Sequence, residues 1–200
     1  ITMKFFDIQK DAKQLLKKRI NRKINKFLLD GQYINGKENL ELEKKLSNFT
    51  KSKYCKLCSS GTDALLVALL SLDLKKNDEI ITSAYSWISV AEVCKVLGLK
   101  IKFADIDLNN FNIELKNIEK IVSKKTKVII PVSIFGMCSN LQEIKAFADK
   151  KKITLIEDAA QSLGSKSLNK NSCNIAHISC TSFFPTKVLG AYGDGGAIFT

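Results

Sequence analysis

The 200-residue sequence predicts an α/β fold, a seven-stranded, mostly parallel sheet with helices on both faces. Three observations carry this. From residue 54 to the last residue, short apolar and β-branched runs alternate with helical patterns, which is how parallel strands are joined by crossover helices. Apolar residues make up 45% of the chain and charged residues 26%, enough for a sizeable core under a solvated surface. No internal repeat and no low-complexity linker interrupts the alternation.

The elements follow in order. Between residues 8 and 28 apolar residues recur at helical spacing (Ile8, Ala12, Leu15, Ile20, Ile24, Phe27) with lysines between them, predicting an amphipathic helix laid on another surface. Residues 31–36, bounded by Gly31 and Gly36, break it, and residues 37–49 read as a second helix. Strands are then expected over 54–58, 79–82, 100–104, 128–132, 153–157, 178–182 and 196–200. Helices are expected between them over 62–72, 86–97, 115–122 and 141–150. Gly98 stands where a left-handed C-cap would end the 86–97 helix. Residues 1–50 are therefore expected to form a helical segment packed on a larger domain of residues 51–200. Because Thr200 falls inside a predicted strand, that domain is expected to be truncated there, as in an N-terminal fragment of a longer protein.

Charge and cysteine usage narrow the function classes. The net charge of +12 is carried almost wholly by lysine, with Arg19 and Arg22 the only arginines. A surface that reads nucleic acid would use arginine forks, so no nucleic-acid partner is expected. The apolar runs are too short to span a bilayer, and the first residues show no export signal. No membrane partner and a cytoplasmic location are the expectation. The six cysteines do not make the framework of a secreted mini-domain. Cys55 and Cys58 have half of a zinc-site spacing, but no second pair follows and His177 is the only histidine, so no metal is expected. On a strand, residues three apart point to opposite faces.

Three polar motifs remain. Gly61-Thr62-Asp63 lies between a strand and a helix, where free amides and the helix dipole suit a phosphate; an ordinary N-cap is the competing reading. Asp158 closes a strand in Glu157-Asp158-Ala159-Ala160-Gln161-Ser162, at the end of the sheet where α/β ligands bind. Ser182 ends the sixth strand, and Lys187 follows five residues later, ahead of the glycine-dense run from Gly190 to Gly196. Trp87, the only tryptophan, follows another strand end, where its ring either stacks on a ligand or packs in the core. Asp105 and Asp107 form an Asp-x-Asp triplet, common in turns and also found as a metal pair. A lysine, a carboxylate and an anion cradle in this order are what pyridoxal phosphate (PLP) requires.

The strings from Ser182 to Gly196, Glu157 to Ser162 and Ser60 to Ala64 resemble the DegT/DnrJ/EryC1/StrS family, PLP-dependent aminotransferases of nucleotide-linked oxo sugars. The resemblance runs in order from the first helix to Thr200. It implies the large domain of the fold type I aminotransferases, with the smaller C-terminal domain absent from these 200 residues. It implies that Lys187 is the lysine that carries the cofactor and Asp158 the partner of its pyridine nitrogen, the two catalytic residues. Gln161 matches the residue beside the ring hydroxyl, Trp87 the stacking aromatic, and Gly61, Thr62, Asp63 and Ser182 the phosphate site. The string from Cys173 to Pro185 is similar to the branch that aminates UDP-2-acetamido-2-deoxy-3-oxo-glucuronate for surface polysaccharides such as lipopolysaccharide O-antigen. The resemblance further implies glutamate as amino donor and a homodimer with a shared active site. The alternatives are a regulatory protein on the same fold, and a metal-dependent sugar-nucleotide enzyme built on Asp105 and Asp107.

Overall fold

The computed structural model describes residues 20–200, so residues 8–19 of the predicted first helix lie outside the described residues. The chain forms two compact units, the first ending at Lys44 and the second spanning Lys45–Thr200.

In the first unit, helix α1 (Ile20–Asp30) stops at Gly31, whose φ of 67° is a left-handed conformation that costs glycine little. The Tyr33 hydroxyl donates to the Leu28 carbonyl at 2.8 Å, and its ring meets Phe27 edge-on at 5.5 Å. Helix α2 (Lys37–Thr50) begins with Lys37 paired to Asp30 at 2.9 Å. That pair is exposed, where water screens it and the net gain is small.

The second unit is the sheet. In chain order it holds β1 (Cys55–Cys58), α3 (Gly61–Leu70), β2 (Glu79–Ser83), α4 (Ser89–Val96), β3 (Lys100–Ala104) and α5 (Leu115–Ile121). It continues through β4 (Thr126–Ile130), a 3-10 turn (Ile134–Gly136), α6 (Leu141–Lys151) and β5 (Thr154–Asp158). A two-residue hairpin, β6 (Lys166–Ser167) with β7 (Lys170–Asn171), precedes β8 (Ile178–Ser182) and β9 (Gly196–Phe199). The strand order is β1-β9-β8-β5-β4-β2-β3. Pairs from β3 across to β8 are parallel, while β9 runs antiparallel to both β8 and β1. All the strands except β9 therefore point the same way. The C-terminal ends of β1, β2, β5 and β8 meet the start of β9 along one edge.

The strand period of two divides the core between the sheet faces. Ile80, Val128, Ile130 and Ile156 pack with Ala64, Leu65, Leu69, Val90 and Val93 of α3 and α4. Ile81, Ile129 and Leu155 face the other way, onto Ile118 of α5 and Ile144 and Ala148 of α6. A third cluster joins Phe183, Ala197 and Phe199 to Leu46 and Leu163. Helices on both faces and seven strands match the sequence-based expectation.

Two local features differ from it. Helix α4 starts at Ser89 rather than at residue 86, because residues 84–88 form a loop in which Tyr85 stacks on Phe111 at 5.4 Å. The β6–β7 hairpin was not predicted, since two-residue strands have no readable period. Cys55 and Cys58 pack in different clusters, as residues three apart on a strand should. Burial pushes the Cys58 and Cys94 thiols up to about 11, so neither is a thiolate at neutral pH. No helix among the described residues is long and apolar enough to cross a membrane.

Candidate active site

At the C-terminal edge of the sheet a cavity of about 330 Å³ is lined by Gly61, Thr62, Trp87, Asp158, Ser182 and Lys187, among others. Residues 126 positions apart in sequence meet there because β1 and β8 flank β9 and β5 lies beside β8.

The anion end is built from α3. Ser60 caps this helix in an extended conformation (φ −159°), its hydroxyl accepting from the Asp63 amide at 3.0 Å. The amides of Gly61 and Thr62, the first two residues, have no partner within the helix, and the helix dipole adds positive potential there. The Thr62 hydroxyl bonds that of Ser89 at 2.8 Å, and Ser89 begins α4 and also lines the cavity. Ser182 ends β8 opposite them and accepts the Phe184 amide at 3.2 Å. Gly61 is required by this approach, since a Cβ on it would lie 2.7 Å from the Ser182 Cβ. Gly196 is equally constrained, because its Cβ would strike the Ser60 carbonyl. Gly61→Ala should therefore push β8 from α3 and weaken phosphate binding. A calorimetric titration of the full-length protein with the cofactor identified below should give a dissociation constant at least ~10-fold higher. An unchanged constant would show that the approach of Gly61 to Ser182 is unimportant.

Asp158 forms the opposite wall and is 9% exposed. Its backbone is held by the segment after β4: its amide donates to the Pro131 carbonyl, and its carbonyl accepts from the Ser133 amide, each at 3.0 Å. One carboxylate oxygen accepts the Ala160 amide at 3.0 Å. Burial raises its pKa above the ordinary value, while the Ala160 N–H and the positive charge of Lys187 oppose the rise. A carboxylate in this position accepts a proton or a cationic N–H readily. Half-buried Lys187 leaves the edge in a turn closed by its own amide on the Phe184 carbonyl at 2.8 Å. Trp87 is 76% exposed at the mouth, which leaves its ring face available for stacking.

Asp63 and Gln161 stand outside the cavity lining. The Asp63 carboxylate accepts from the Ser59 hydroxyl, and the Gln161 carbonyl oxygen accepts the Phe135 amide at 3.1 Å. The Asp107 carboxylate caps a turn, accepting the amides of Asn109 (2.7 Å) and Asn110 (3.1 Å), which lower its pKa. Among the described residues no cluster of three histidine, cysteine or acidic side chains could hold a metal ion. Ser89, Thr186 and Asp194 line the cavity without having been singled out. Thr186 and Asp194 flank Lys187 within a motif already noted. Ser89 has no sequence signal, as only the packing of α3 on α4 brings it to Thr62.

Fold and site together define a member of the DegT/DnrJ/EryC1/StrS aminotransferase family, whose model matches residues 14–200, and the chain belongs to it. It is 43% identical over 99% of its length to the UDP-2-acetamido-2-deoxy-3-oxo-D-glucuronate aminotransferase of Pseudomonas aeruginosa, covering 55% of that protein. It is 35% identical over 88% of its length to the UDP-N-acetyl-3-dehydro-alpha-D-glucosamine 3-aminotransferase of Acidithiobacillus ferrooxidans, covering 48% of it. The crystal structure of Bacillus subtilis NtdA with bound cofactor PMP superposes with a TM-score of 0.89 at 31% identity, over 100% of this chain and 45% of that one. The chain thus spans about half the length of the curated relatives it matches.

Proposed function

We propose that these residues form the cofactor-binding part of a PLP-dependent aminotransferase acting on a nucleotide-linked oxo sugar. The observation that carries this is the meeting of Lys187, Asp158 and the Gly61–Thr62–Ser182 cradle around one cavity. Its volume lies within the roughly 300–1,000 Å³ usual for small-molecule sites. The donor set suits the cofactor at each end. Amides and hydroxyls take the phosphate, the glycine approach leaves no room for a Cβ, and a shielded carboxylate faces the ring.

When bound, PLP supplies an aldehyde that takes up amines and a protonated ring that drains electrons from a neighbouring C–H bond. The remaining work belongs to the chain. Asp158 holds the proton on the ring nitrogen by charge. Lys187 would be the amine that holds the cofactor through its aldehyde carbon, and its free amine would move a proton between the donor's α-carbon and the cofactor's C4′ carbon. Gly61, Thr62 and Ser182 would hold the phosphate, Trp87 would cover the ring, and Asp63 would support the cradle from behind. Gln161, matched to the ring hydroxyl by the family resemblance, stands outside the lining with its side-chain oxygen on the Phe135 amide. In the net reaction the donor exchanges its amine for a carbonyl oxygen, and the sugar exchanges its carbonyl oxygen for the amine.

The similarity to two enzymes named for UDP-linked 3-oxo sugars supports a UDP-linked 3-oxo sugar as substrate, and the 43% identity to the one named for a glucuronate favours a sugar acid. Glutamate as donor, surface polysaccharide synthesis, a homodimer and a cytoplasmic location complete the reading. The full-length protein with PLP, glutamate and UDP-2-acetamido-2-deoxy-3-oxo-glucuronate should release one 2-oxoglutarate per amino sugar formed. Failure to bind PLP, or metal-dependent turnover without it, would overturn the proposal.

A further inference from the structure

Glu157 and Asp158 are neighbours on β5, and strand geometry points them to opposite faces of the sheet. Asp158 faces the cavity. Glu157 faces away and is completely buried. Five donors converge on its carboxylate. The Ser172 hydroxyl reaches Oε1 at 2.7 Å, and those of Ser133 and Ser162 reach it at 3.4 Å. The Cys173 amide reaches Oε2 at 2.8 Å, and the Ser179 hydroxyl reaches it at 3.2 Å. These donors come from the turn after β4, the turn after β5, the end of the small hairpin, and β8.

A buried carboxylate is an expensive way to fill space, because it loses its hydration and every donor around it must be ordered. An apolar side chain would fill the same volume at less cost. What the carboxylate adds is direction, and its partners coincide with the groups that hold Asp158. Ser133 donates its hydroxyl to Glu157 and its backbone amide to the Asp158 carbonyl. Ser179 lies opposite Glu157 in the β5–β8 register, and Cys180, the next residue, lies opposite Asp158. The Cys180 carbonyl accepts the Ala159 amide at 2.7 Å. Ser162 lies in the turn that follows Asp158, its amide donating to the Ala159 carbonyl at 3.1 Å.

We propose that Glu157 is a positioning residue for Asp158: from the far side of the sheet its carboxylate locks the end of β5 and the following turn, and so fixes the direction in which the Asp158 carboxylate meets the ring nitrogen. This rests on the role given to Asp158 above. None of the five partners of Glu157 belongs to the phosphate cradle of Gly61, Thr62 and Ser182.

The test uses the full-length protein loaded with PLP, comparing wild type, Glu157→Gln, Asp158→Asn and the double variant. Glu157→Gln should lower kcat roughly 10- to 100-fold, the scale of a small misplacement at a reacting centre. It should leave KM for the oxo sugar and the PLP dissociation constant within about 3-fold, since its partners lie off the cradle. The pH profile of the bound cofactor's absorbance should move in the direction seen with Asp158→Asn. In the Asp158→Asn background Glu157→Gln should cost almost nothing further, because it acts through the group already removed. A kcat within about 2-fold of wild type, or a loss that multiplies fully with that of Asp158→Asn, overturns the proposal. If Glu157→Gln does not fold, Ser179→Ala removes one donor and should show a ~3- to 10-fold loss of kcat that likewise vanishes in the Asp158→Asn background. Its absence overturns the proposal equally. A wild-type protein that neither binds PLP nor transaminates would sink the reading of the site itself, and the positioning role with it.

Discussion

Replacing Lys187 with alanine in the full-length protein is expected to reduce amino transfer by roughly 100- to 10,000-fold or more, the range for loss of a positioned acid–base group. Two functions disappear together. The variant has no amine to hold the aldehyde at rest, and no group at that place to move the proton. Binding should suffer much less, because the phosphate contacts proposed for Gly61, Thr62 and Ser182 would come from α3 and β8. A direct chemical readout accompanies the kinetics. Borohydride reduction of the loaded wild type should fix the cofactor covalently, and peptide mass mapping should place it on Lys187. The chain holds 32 basic residues, so the result is informative. Modification of another lysine would remove Lys187 from the site. Retention of turnover by Lys187→Ala would do the same.

Asp158→Asn should separate binding, turnover and stability. The asparagine oxygen can still accept the Ala160 amide, so the local backbone is kept. An amide cannot hold a ring proton by charge, and turnover should fall roughly 100- to 1,000-fold, as when one preorganised electrostatic group is lost. PLP affinity should change far less.

The cofactor-free protein should respond in the opposite sense. Burial raises the Asp158 pKa in the folded protein above its ordinary value of 3.8. A group raised in this way contributes stability that is fully present below its unfolded pKa and lost as pH rises through its folded pKa. The wild-type apo protein therefore carries a cost at neutral pH that Asp158→Asn lacks. The variant should melt at higher temperature at pH 7, and the gap should shrink toward pH 4. A gap that widens on acidification would mean that the Asp158 carboxylate is stabilised by its surroundings. Such a site would be preorganised by favourable charge pairing and not by shielding from water.

Much of this was visible in the order of residues along the chain. The seven strands of the sheet follow from short apolar runs between helical patterns, and burial on both faces requires those runs. Lys187, Asp158 and Gly61 announced themselves because each sits at or shortly after the C-terminal end of a strand, where open α/β sheets bind ligands. Chemical type and local position sufficed. The reversed direction of β9 was not readable, since strand period is blind to direction. Nor was the β6–β7 hairpin, whose two-residue strands span a single period and so show no repeat.

The partnerships within the site depended on the fold. Ser89 contributes a hydroxyl beside Thr62 because α4 packs on α3, and a serine at a helix start ordinarily reads as nothing more than a cap. The serines around Glu157 lie on separate segments between Ser133 and Ser179, and none carries a motif. By itself, the sequence determined which elements form and which residues end them, because propensity, periodicity and strand-end position are local properties. Only the tertiary structure decided that Gly61 must meet Ser182, that Glu157 stands behind Asp158, and that Gln161 bonds the Phe135 amide. Those contacts arise from strand order and register, which depend on how distant segments share one core.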